Sequence, residues 1–592
     1  MTPTPATPTP APDWWKSAVV YQIYPRSFAD SNGDGIGDLR GVLGRLDHLE
    51  RLGVDVVWLS PVYRSPMDDN GYDISDYHDV DPVFGTLEDL DELIAEVHAR
   101  GMRLVMDLVV NHTSSAHAWF AESRSGREHP KRDWYWWRPP RPGHTGGEPG
   151  AEPTNWGSVF SGSAWAWDEA SGEYYLHLFA ASQPDLNWEN PEVRRAVHAM
   201  MRWWLDRGVD GFRMDVINLI SKVTVQEPPG LLDAEPGVRG AGGGGMVDTT
   251  LYGDPAPYVL NGPRVHEFLQ EMHREVFAGR PPGLITVGET PGATVEDARL
   301  YTDASRAEVD MVFQFEHVDL DSGPGGKWDV RPMAMIDLKR SLGRWQEGLA
   351  DVGWNSLYLG NHDQPRCVSR FGDDSPEHRE RSATALATVL HLHRGTPYIY
   401  QGDEIGMINA GFTDLVQLRD IESLNAHRAA IAKGVDAETA MAAIRWKGRD
   451  NARTPMQWDD GPHAGFTTGT PWIAVNDDHA AVNVAAQVDD EGSVLAHHRR
   501  LVALRHDEPA VAHGSFTMLL PDDERVYAFI RRHGSTELLV VANLSSEDGV
   551  EAPVDDAAGW IDAELVLTNA GGPESGARLV LRPWEAWILR RS

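Results

Sequence analysis

The residues with the clearest capacity for chemistry lie in one short segment, residues 210–218, with the sequence DGFRMDVIN. Phe212 and Met214 indicate a buried strand, and Arg213 and Asp215 alternate with them. Because side chains along a strand alternate between its two faces, Arg213 and Asp215 point the same way. An Arg and an Asp on one buried face are costly unless they pair or take part in chemistry. The segment alone leaves both interpretations open, a structural ion pair and a reactive site.

Asp215 is one of three acidic residues that each end a short apolar run; the other two are Glu289 and Asp363. If the runs are neighbouring strands, Asp215 and Glu289 face each other across one pocket. Two facing carboxyl groups are suited to cleaving a glycosidic bond, one as nucleophile or base and one as proton donor. Arg213 is placed to hold the charge of the nucleophile. Glu289 has few charged sequence neighbours, which favours the raised pKa of a proton donor.

Asp363 is placed to stabilise an oxocarbenium-like transition state and to bind ring hydroxyls. Two histidines, His112 and His362, also end apolar runs. A lone His in such a position is more often part of the core or of a surface loop. Because both end strands in the same way, we interpret them as hydrogen-bonding groups for a substrate.

The elements that must position these residues are short apolar strands alternating with helices. We predict helices over 41–52, 87–100, 191–208, 264–277, 335–349, 380–394 and 494–505. We predict strands over 19–25, 54–61, 103–110, 211–216, 284–289, 311–316, 356–363 and 396–404. Eight such strands indicate an α/β fold, a (β/α)8 TIM barrel, in which functional groups sit at the carboxyl ends of the strands.

Composition and connection lengths predict further domains around the barrel. Residues 1–12 are a Pro/Thr tract that we expect to be a disordered tail. The barrel takes 13–111 and 183–514, and the connection 112–182 is long enough to be an inserted lid domain. A second excursion covers about 406–491, and the run GAGGGG at 240–245 indicates a mobile loop. Short alternating runs over 515–592 predict a C-terminal antiparallel β-sandwich.

The overall composition excludes several classes of function. The chain has 592 residues and a formal net charge of −36, which makes nucleic acid and anionic membranes poor partners. Its one cysteine, Cys367, excludes an internal disulfide framework. No apolar run is long enough to span a membrane, and the first residues do not resemble a signal peptide. We therefore expect a cytoplasmic protein.

Six short motifs give the chain a family resemblance. They are DLVVNHTS (107–114), QPDLNWENP (183–191), GFRMDVIN (211–218), TVGETPG (286–292), YLGNHDQPR (358–366) and GTPYIYQGDEIGM (395–407). In these strings the chain resembles glycoside hydrolase family 13, the α-amylase family, from residue 14 onward. The resemblance implies a retaining double displacement. In that mechanism Asp215 is the nucleophile, Glu289 the acid/base and Asp363 the stabiliser of the transition state.

Longer strings resemble one group of that family, the oligo-1,6-glucosidases, which are exo-acting α-glucosidases. The strings include VVYQIYPRSFADSNGDGIGDL, DNGYDISDY, FQFEHVDLD with GKWDV, and RDNARTPMQWDD. An Asp69–Arg449 pair would close the bottom of the pocket and make the attack exo. Tyr72 would serve as a stacking platform for the sugar. The resemblance implies that the terminal glucose is surrounded by Asp69, Tyr72, His112, Phe179, Gln183, Arg213, His362 and Arg449. The alternatives are a surface ion pair for Arg449 and a place in the core for Phe179.

Linkage preference is inferred from the residue that follows the nucleophile. In relatives a residue similar to Val216 accompanies a preference for α-1,6 bonds, and a smaller or hydroxylated residue accompanies α-1,4. A β-branched side chain beside the leaving group can exclude one approach by its shape. An ordinary strand valine is the alternative. The chain departs from its relatives at Gly360, where Asn is common, and at Cys367, where Val is common.

The loop DSNGDGIGD at residues 30–38 has oxygen donors at alternating positions, as in the first half of an EF-hand loop. The bidentate Glu of that motif is absent, and a solvated Asp/Gly turn is the alternative. The family resemblance favours one structural divalent cation, Ca²⁺ or Mg²⁺, far from the chemistry. The ligands would be Asp30, Asn32, Asp34, the Ile36 carbonyl and Asp38.

The expected function is an exo-acting retaining α-glucosidase that acts on a small α-glucoside or oligosaccharide, as a monomer or a homodimer. Three alternatives remain open. A sucrose isomerase or transglucosidase would use the same intermediate, and a maltase would prefer α-1,4 bonds. A catalytically dead binding subunit is disfavoured because all three carboxylates are present.

Overall fold

The structure, a computed structural model, describes residues 13–226, 229–231, 252–573 and 578–591. The tail and the glycine-rich loop predicted at 1–12 and 240–245 lie outside the described residues. Within them, no helix combines the length and the apolar composition needed to cross a membrane.

Eight parallel strands of the described chain form one sheet, and each lies within a predicted apolar run. They are β1 (Val20–Ile23), β2 (Val56–Leu59), β3 (Arg103–Val109), β4 (Gly211–Asp215), β5 (Ile285–Glu289), β6 (Met311–Phe313), β7 (Ser356–Leu357) and β8 (Thr396–Tyr400). The strand order is β6-β5-β4-β3-β2-β1-β8-β7. A parallel bridge between Val312 and Asn355 joins the two edges. The predicted (β/α)8 barrel is confirmed.

The last strands are shorter than predicted. The run 356–363 was expected to be extended throughout, but β7 ends at Leu357. The chain then turns inward: Asn361 Oδ1 accepts a hydrogen bond from the amide of Asp363 at 2.8 Å. An apolar run followed by polar residues therefore marks a strand and the loop above it, and sequence does not separate the two.

The helices surround the barrel and pack apolar faces on it. In helix α3 (Leu87–Ala99), a capping box formed by Thr86 and Asp89 begins the helix, and Leu90, Leu93 and Val97 lie on its buried face. The helix predicted over 41–52 is two short helices, because the chain breaks at residues 44–45. The barrel helices are α1 (Leu39–Leu43), α2 (Leu46–Leu52), α3 (Leu87–Ala99), α5 (Pro191–Arg207), α7 (Val265–Met272), α8 (Val295–Thr302), α9 (Met335–Gly348), α10 (Cys367–Phe371), α11 (Arg379–Leu392) and α15 (Val494–Asp507).

Two excursions lie at the carboxyl ends of the strands. The segment after β3 contains α4 (Ala118–Arg124) and a small antiparallel sheet formed by Trp137–Arg138, Trp165–Asp168 and Glu173–Leu176. The segment after β8 contains α12 (Ile421–Ala432), α13 (Ala437–Lys447) and α14 (Val484–Gln487). The two excursions touch, since Asn425 Nδ2 donates a hydrogen bond of 3.0 Å to the carbonyl of Phe160.

Shorter elements complete the connections. Short helices α6 (Ala256–Val259), α16 (Pro509–His513) and α17 (Ala557–Ile561) are present. Two-stranded ribbons pair Tyr63–Arg64 with Asp76–Val80, Thr224–Gln226 with Pro229–Leu231, and Ser322–Gly323 with Gly326–Val330.

The C-terminal domain is an antiparallel sheet with the order β9-β10-β11-β13-β12. Its strands are β9 (Ser515–Leu519), β10 (Val526–His533), β11 (Thr536–Asn543), β12 (Glu564–Thr568) and β13 (Ala586–Arg591), beside a ribbon of Val550–Ala552 with Leu579–Leu581. One face packs on α11. His393 lies in that interface, where its Nε2 is 3.0 Å from the hydroxyl of Tyr527.

Candidate active site

One guanidinium lies at the centre of the carboxyl ends of β3, β4 and β5. Arg213 Nη1 donates to Asp215 Oδ1 at 2.7 Å, and Nη2 forms an ion pair with Glu289 Oε1. Asp107, opposite Arg213 in the pairing of β3 with β4, also accepts from Nη1 at 2.9 Å. The two carboxyl groups predicted to face each other therefore meet at one cation.

A backbone hydrogen bond also connects the end of β4, where Asp215 lies, with Glu289. The amide of Val216 donates to Glu289 Oε2 at 3.0 Å. Val216 has φ 35° and ψ 42°, a left-handed conformation that is rare for a β-branched residue. This turn directs its amide towards the neighbouring strand. Strained backbone of this kind is concentrated at functional sites.

Asp107 was not singled out from the sequence, although it stands inside the apolar run of β3. It is fully buried and accepts hydrogen bonds from the Tyr72 hydroxyl at 2.9 Å and from Trp58 Nε1 at 3.1 Å. A charged residue in the middle of a buried strand is the signal that could have revealed it. Its position makes it the anchor of Arg213.

Asp363 lies on the loop above β7 and is held by two arginines. Arg453 Nη2 donates to Asp363 Oδ1 at 2.7 Å, and Arg449 Nη1 donates to the same oxygen at 3.3 Å. With 31% of its side chain exposed, Asp363 is more accessible than Asp215 or Glu289. Its carboxylate is therefore both paired and open to a ligand.

His362 lies beside that carboxylate and under an aromatic ring. Gln22 Nε2 donates to His362 Nδ1 at 2.8 Å, and Nε2 lies 3.3 Å from Asp363 Oδ2. The ring of Tyr72 stacks on His362 with centroids 5.2 Å apart and planes 7° apart. Tyr72 thus combines a ring contact with its hydrogen bond to Asp107.

The remaining residues that were predicted to surround the sugar form a second side of the site. Asp69 Oδ1 accepts from Arg449 Nη2 at 3.0 Å, and its Oδ2 accepts from Gln183 Nε2 at 3.0 Å. His112 Nε2 lies 3.3 Å from Gln183 Nε2. Phe179 is half-buried, and its ring centroid lies 5.1 Å from that of His112. The structure brings together all the residues predicted to surround a sugar.

The pKa values of the site residues are set mainly by burial, which only a few nearby cations oppose. Burial raises the pKa of Asp215 well above its ordinary value; Arg213 opposes this, and the facing Glu289 adds to it. Burial also raises the pKa of Glu289. Burial would raise the pKa of Asp363, but the adjacent His362 and the guanidinium groups of Arg449, Arg453 and Arg213 outweigh it, so the pKa is lowered. Burial lowers the pKa of His362 to about 3 and that of His112 to about 4.

A group of residues around Arg449 was not predicted from the sequence. Some of them lie on the segment after β8, and the others lie opposite that segment. Phe160 packs under the guanidinium of Arg449, 5.1 Å from ring centroid to Cζ. Lys327 Nζ donates to Glu422 Oε2 at 2.6 Å. Asp420 accepts from Arg449. No motif linked these positions, because their contacts span many residues of chain.

The loop at 30–38 lies apart from these residues. Its side-chain oxygens fold back on amides two residues ahead: Asp30 accepts from Asn32, Asn32 from Asp34, and Asp34 from Ile36, each at 2.9 Å. Asp38 caps α1 and also accepts from Ser31. No cluster of three His, Cys, Asp or Glu suited to a metal occurs among the described residues. The candidate donors are all oxygen atoms, which fits a hard cation. Asp38, however, already caps α1. The cation site stays a prediction.

Comparison with known proteins identifies the family. The model of the α-amylase catalytic domain matches residues 22–514, and that of the maltogenic amylase C-terminal domain matches residues 516–588. The chain belongs to the α-amylase family. It is a glycoside hydrolase, as the six motifs predicted, and the matched catalytic domain contains every residue of the site described above.

Individual members of the α-amylase family match almost the whole chain. The oligo-1,6-glucosidase of Parageobacillus thermoglucosidasius is 54% identical over 98% of this chain and 99% of its own. The trehalose-6-phosphate hydrolase of Bacillus subtilis is 46% identical over 98% of each chain. Among solved structures, the isomaltulose synthase of Klebsiella sp. LX3 has a TM-score of 0.89 and 39% identity, over 98% of this chain and 99% of its own. The chain is thus similar over nearly its whole length to proteins with three differently named activities.

Proposed function

We propose that the protein is an exo-acting α-glucosidase that releases glucose from short α-linked oligosaccharides with retention of configuration. The observation that carries the proposal is the contact of Arg213 with both Asp215 and Glu289. Retaining enzymes hold their two carboxyl groups close together, roughly 5 Å apart, whereas inverting enzymes leave room for a water between them. Two carboxyl groups that share one guanidinium fit the first arrangement.

The reaction would proceed in two displacements. Glu289 gives its proton to the glycosidic oxygen while Asp215 attacks the anomeric carbon, and the aglycone leaves as an alcohol. The ring carbon is then bound to Asp215 as a β-linked ester. Glu289, now ionised, removes a proton from water, and the hydroxide displaces Asp215 to give α-glucose. Asp363, ionised because its pKa is lowered, stabilises the positive charge on the ring.

Exo attack follows from the closed end of the site. Arg449 and Gln183 both bind Asp69, and these three side chains are buried. A sugar chain cannot continue through this ion pair, so a terminal glucose is the unit that fits. Charged groups of this type also orient the hydroxyls of the bound ring.

Preference for α-1,6 bonds is supported by Val216 and by the relatives. Val216 is buried, and its backbone amide binds Glu289, which must reach the leaving oxygen. A β-branched side chain at this position can exclude one approach by its shape. The oligo-1,6-glucosidase of Parageobacillus thermoglucosidasius matches this chain at 54% identity, above the 46% of the trehalose-6-phosphate hydrolase.

A product time course on isomaltose, maltose, sucrose and trehalose 6-phosphate, with Asp215→Asn as the blank, tests the proposal. We expect glucose from isomaltose well ahead of maltose. Faster release from maltose would contradict the linkage preference alone. Conversion of sucrose to an isomer without free monosaccharides would indicate an isomerase, and selective cleavage of trehalose 6-phosphate would indicate that hydrolase. No turnover of any of them would contradict the proposed function.

We also propose that the loop at 30–38 binds one Ca²⁺ or Mg²⁺. Its side-chain oxygens and the carbonyl of Ile36 would hold the ion, which would stabilise the loop and supply no chemistry to the reaction. Thr467 donates from its hydroxyl to Asp30, so the loop is tied to the segment after β8. A cation there would strengthen that connection.

A further inference from the structure

We propose that Asp420 is a positioning residue that sets how Arg449 is shared between Asp69 and Asp363. The inference rests on the proposed function, because it assigns a role within the same site. Asp420 lies outside the motifs that carry the family resemblance and precedes helix α12 of the excursion after β8.

Asp420 is completely buried, and its carboxylate is directed at the arginines. Its Oδ1 accepts from Arg449 Nε at 3.0 Å and from Nη2 at 2.5 Å. Arg453 Nη1 lies 3.5 Å from the same oxygen. A buried charge with three guanidinium nitrogens around one oxygen is firmly oriented.

The other edges of Arg449 reach the sugar site. Nη2 also binds Asp69 Oδ1 at 3.0 Å, and Nη1 binds Asp363 Oδ1 at 3.3 Å. The guanidinium is planar, so fixing its Nε side on Asp420 determines the direction of both terminal nitrogens. Asp420 therefore acts on two site carboxylates without needing to touch the substrate itself.

Hydrogen bonds to Asp450 join the segment of Asp420 to that of Arg449. Asp450, next to Arg449, accepts from the amides of Arg419 and Asp420 at 2.8 and 3.1 Å. Asp420 in turn caps α12, accepting from the amide and the hydroxyl of Ser423 at 3.2 and 2.9 Å. These hydrogen bonds connect the start of α12 to the pocket, so the orientation of Arg449 depends on the placement of the helix.

The charge of Asp420 has a separate consequence. Arg449 and Arg453 face Asp69, Asp363 and Asp420, and Glu422 lies 3.3 Å from Arg449 Nε but pairs with Lys327. If Asp420 lost its charge, both arginines would pair more closely with Asp363 and neutralise it. Asp363 would then stabilise the positive charge of the transition state less well.

The test is a double-mutant cycle with Asp420→Asn and Arg449→Ala, assayed on 4-nitrophenyl α-glucoside. Asn keeps the size but removes the charge and replaces one of the two acceptor oxygens by a donor, so it can keep the helix cap at Ser423 while losing the bonds from Arg449. We expect kcat/KM to fall about 10²-fold for Asp420→Asn, chiefly through kcat. We expect no further loss from the same change in the Arg449→Ala background. Asp436→Asn is the matched control, because Asp436 caps α13 and is exposed.

Wild-type kinetics in Asp420→Asn, or losses that multiply fully in the double variant, would overturn the inference. Inactive wild-type protein would instead overturn the proposed function. If Asp420→Asn fails to fold, Arg449→Lys tests the same geometry, because an ammonium keeps the charge but does not bridge three carboxylates in a plane. A melting temperature like that of the wild type with a similar fall in kcat supports the inference, and wild-type kinetics overturns it.

Discussion

Arg213 and Glu289 form an ion pair across two neighbouring strands, and the same guanidinium holds Asp215 and Asp107. Three buried carboxyl groups thus surround one cation. At neutral pH the surplus of negative charge favours a proton on one of them. With that proton on Glu289, the site would hold the proton donor and the ionised nucleophile of the proposed mechanism before a substrate arrives.

The stereochemistry of azide rescue distinguishes the two roles. In Asp215→Gly, azide would replace the missing nucleophile and give β-glucosyl azide from an activated α-glucoside. In Glu289→Ala, azide would attack the ester on Asp215 and give α-glucosyl azide. NMR of the products checks this, with the unrescued variants as controls. The same anomer from both variants would contradict the assignment.

The pH profile of kcat/KM should be bell-shaped, because the proposed mechanism requires Asp215 to be ionised and Glu289 to be protonated. Burial raises the pKa of both, so both limbs should lie above the ordinary carboxyl range near 4. Glu289→Gln should remove the alkaline limb on 4-nitrophenyl α-glucoside and slow isomaltose cleavage roughly 10²–10⁴-fold. An unchanged alkaline limb would show that another group donates the proton.

Val216→Ala should alter linkage preference more than activity. Removing the γ-methyl groups opens the approach beside Glu289, and we expect the maltose-to-isomaltose ratio of kcat/KM to rise roughly 10-fold. The melting temperature serves as the control for packing. An unchanged ratio would mean that Val216 is only part of the core.

Chelation should test the cation loop without reference to the reaction. We expect a chelator to lower the melting temperature by several degrees, with recovery on adding Ca²⁺ or Mg²⁺. Asp34→Asn should remove that difference, while Asp555→Asn, an exposed change in the C-terminal domain, should retain it. Equal melting temperatures with and without chelator would contradict the site.

Acid should weaken the interface of barrel and C-terminal domain through His393. Burial lowers the pKa of His393 to about 3, below the unfolded value of about 6.5. The unfolded chain therefore binds a proton that the folded chain does not. Stability should fall as pH drops below 6.5, by up to about 1.4 kcal/mol per pH unit for this group. His393→Gln should flatten that dependence in chemical unfolding, and the exposed change His533→Gln should not.

The strands were predictable because short apolar runs, repeated between helical segments, match the pattern of buried strands in a parallel barrel. The ends of β6 to β8 were predicted poorly, because polar residues after a strand enter the pocket as loops. Asp215 and Glu289 were predictable since each ends a strand. The pairing of Asp69 with Arg449, 380 residues apart, came only from family resemblance. Asp420 was missed because an Asp before a helix also has the pattern of an ordinary cap.

The single bridge between Val312 and Asn355 has a consequence for the dynamics of the barrel. It joins β6 and β7, the shortest strands of the described sheet, so this seam has the fewest backbone hydrogen bonds to break. Amide hydrogen exchange should be fastest there among the barrel strands. Asp363 follows this seam, and its position depends on Arg449 and Arg453 more than on the sheet. Fluctuations that open the barrel would therefore reach Asp363 before Asp215.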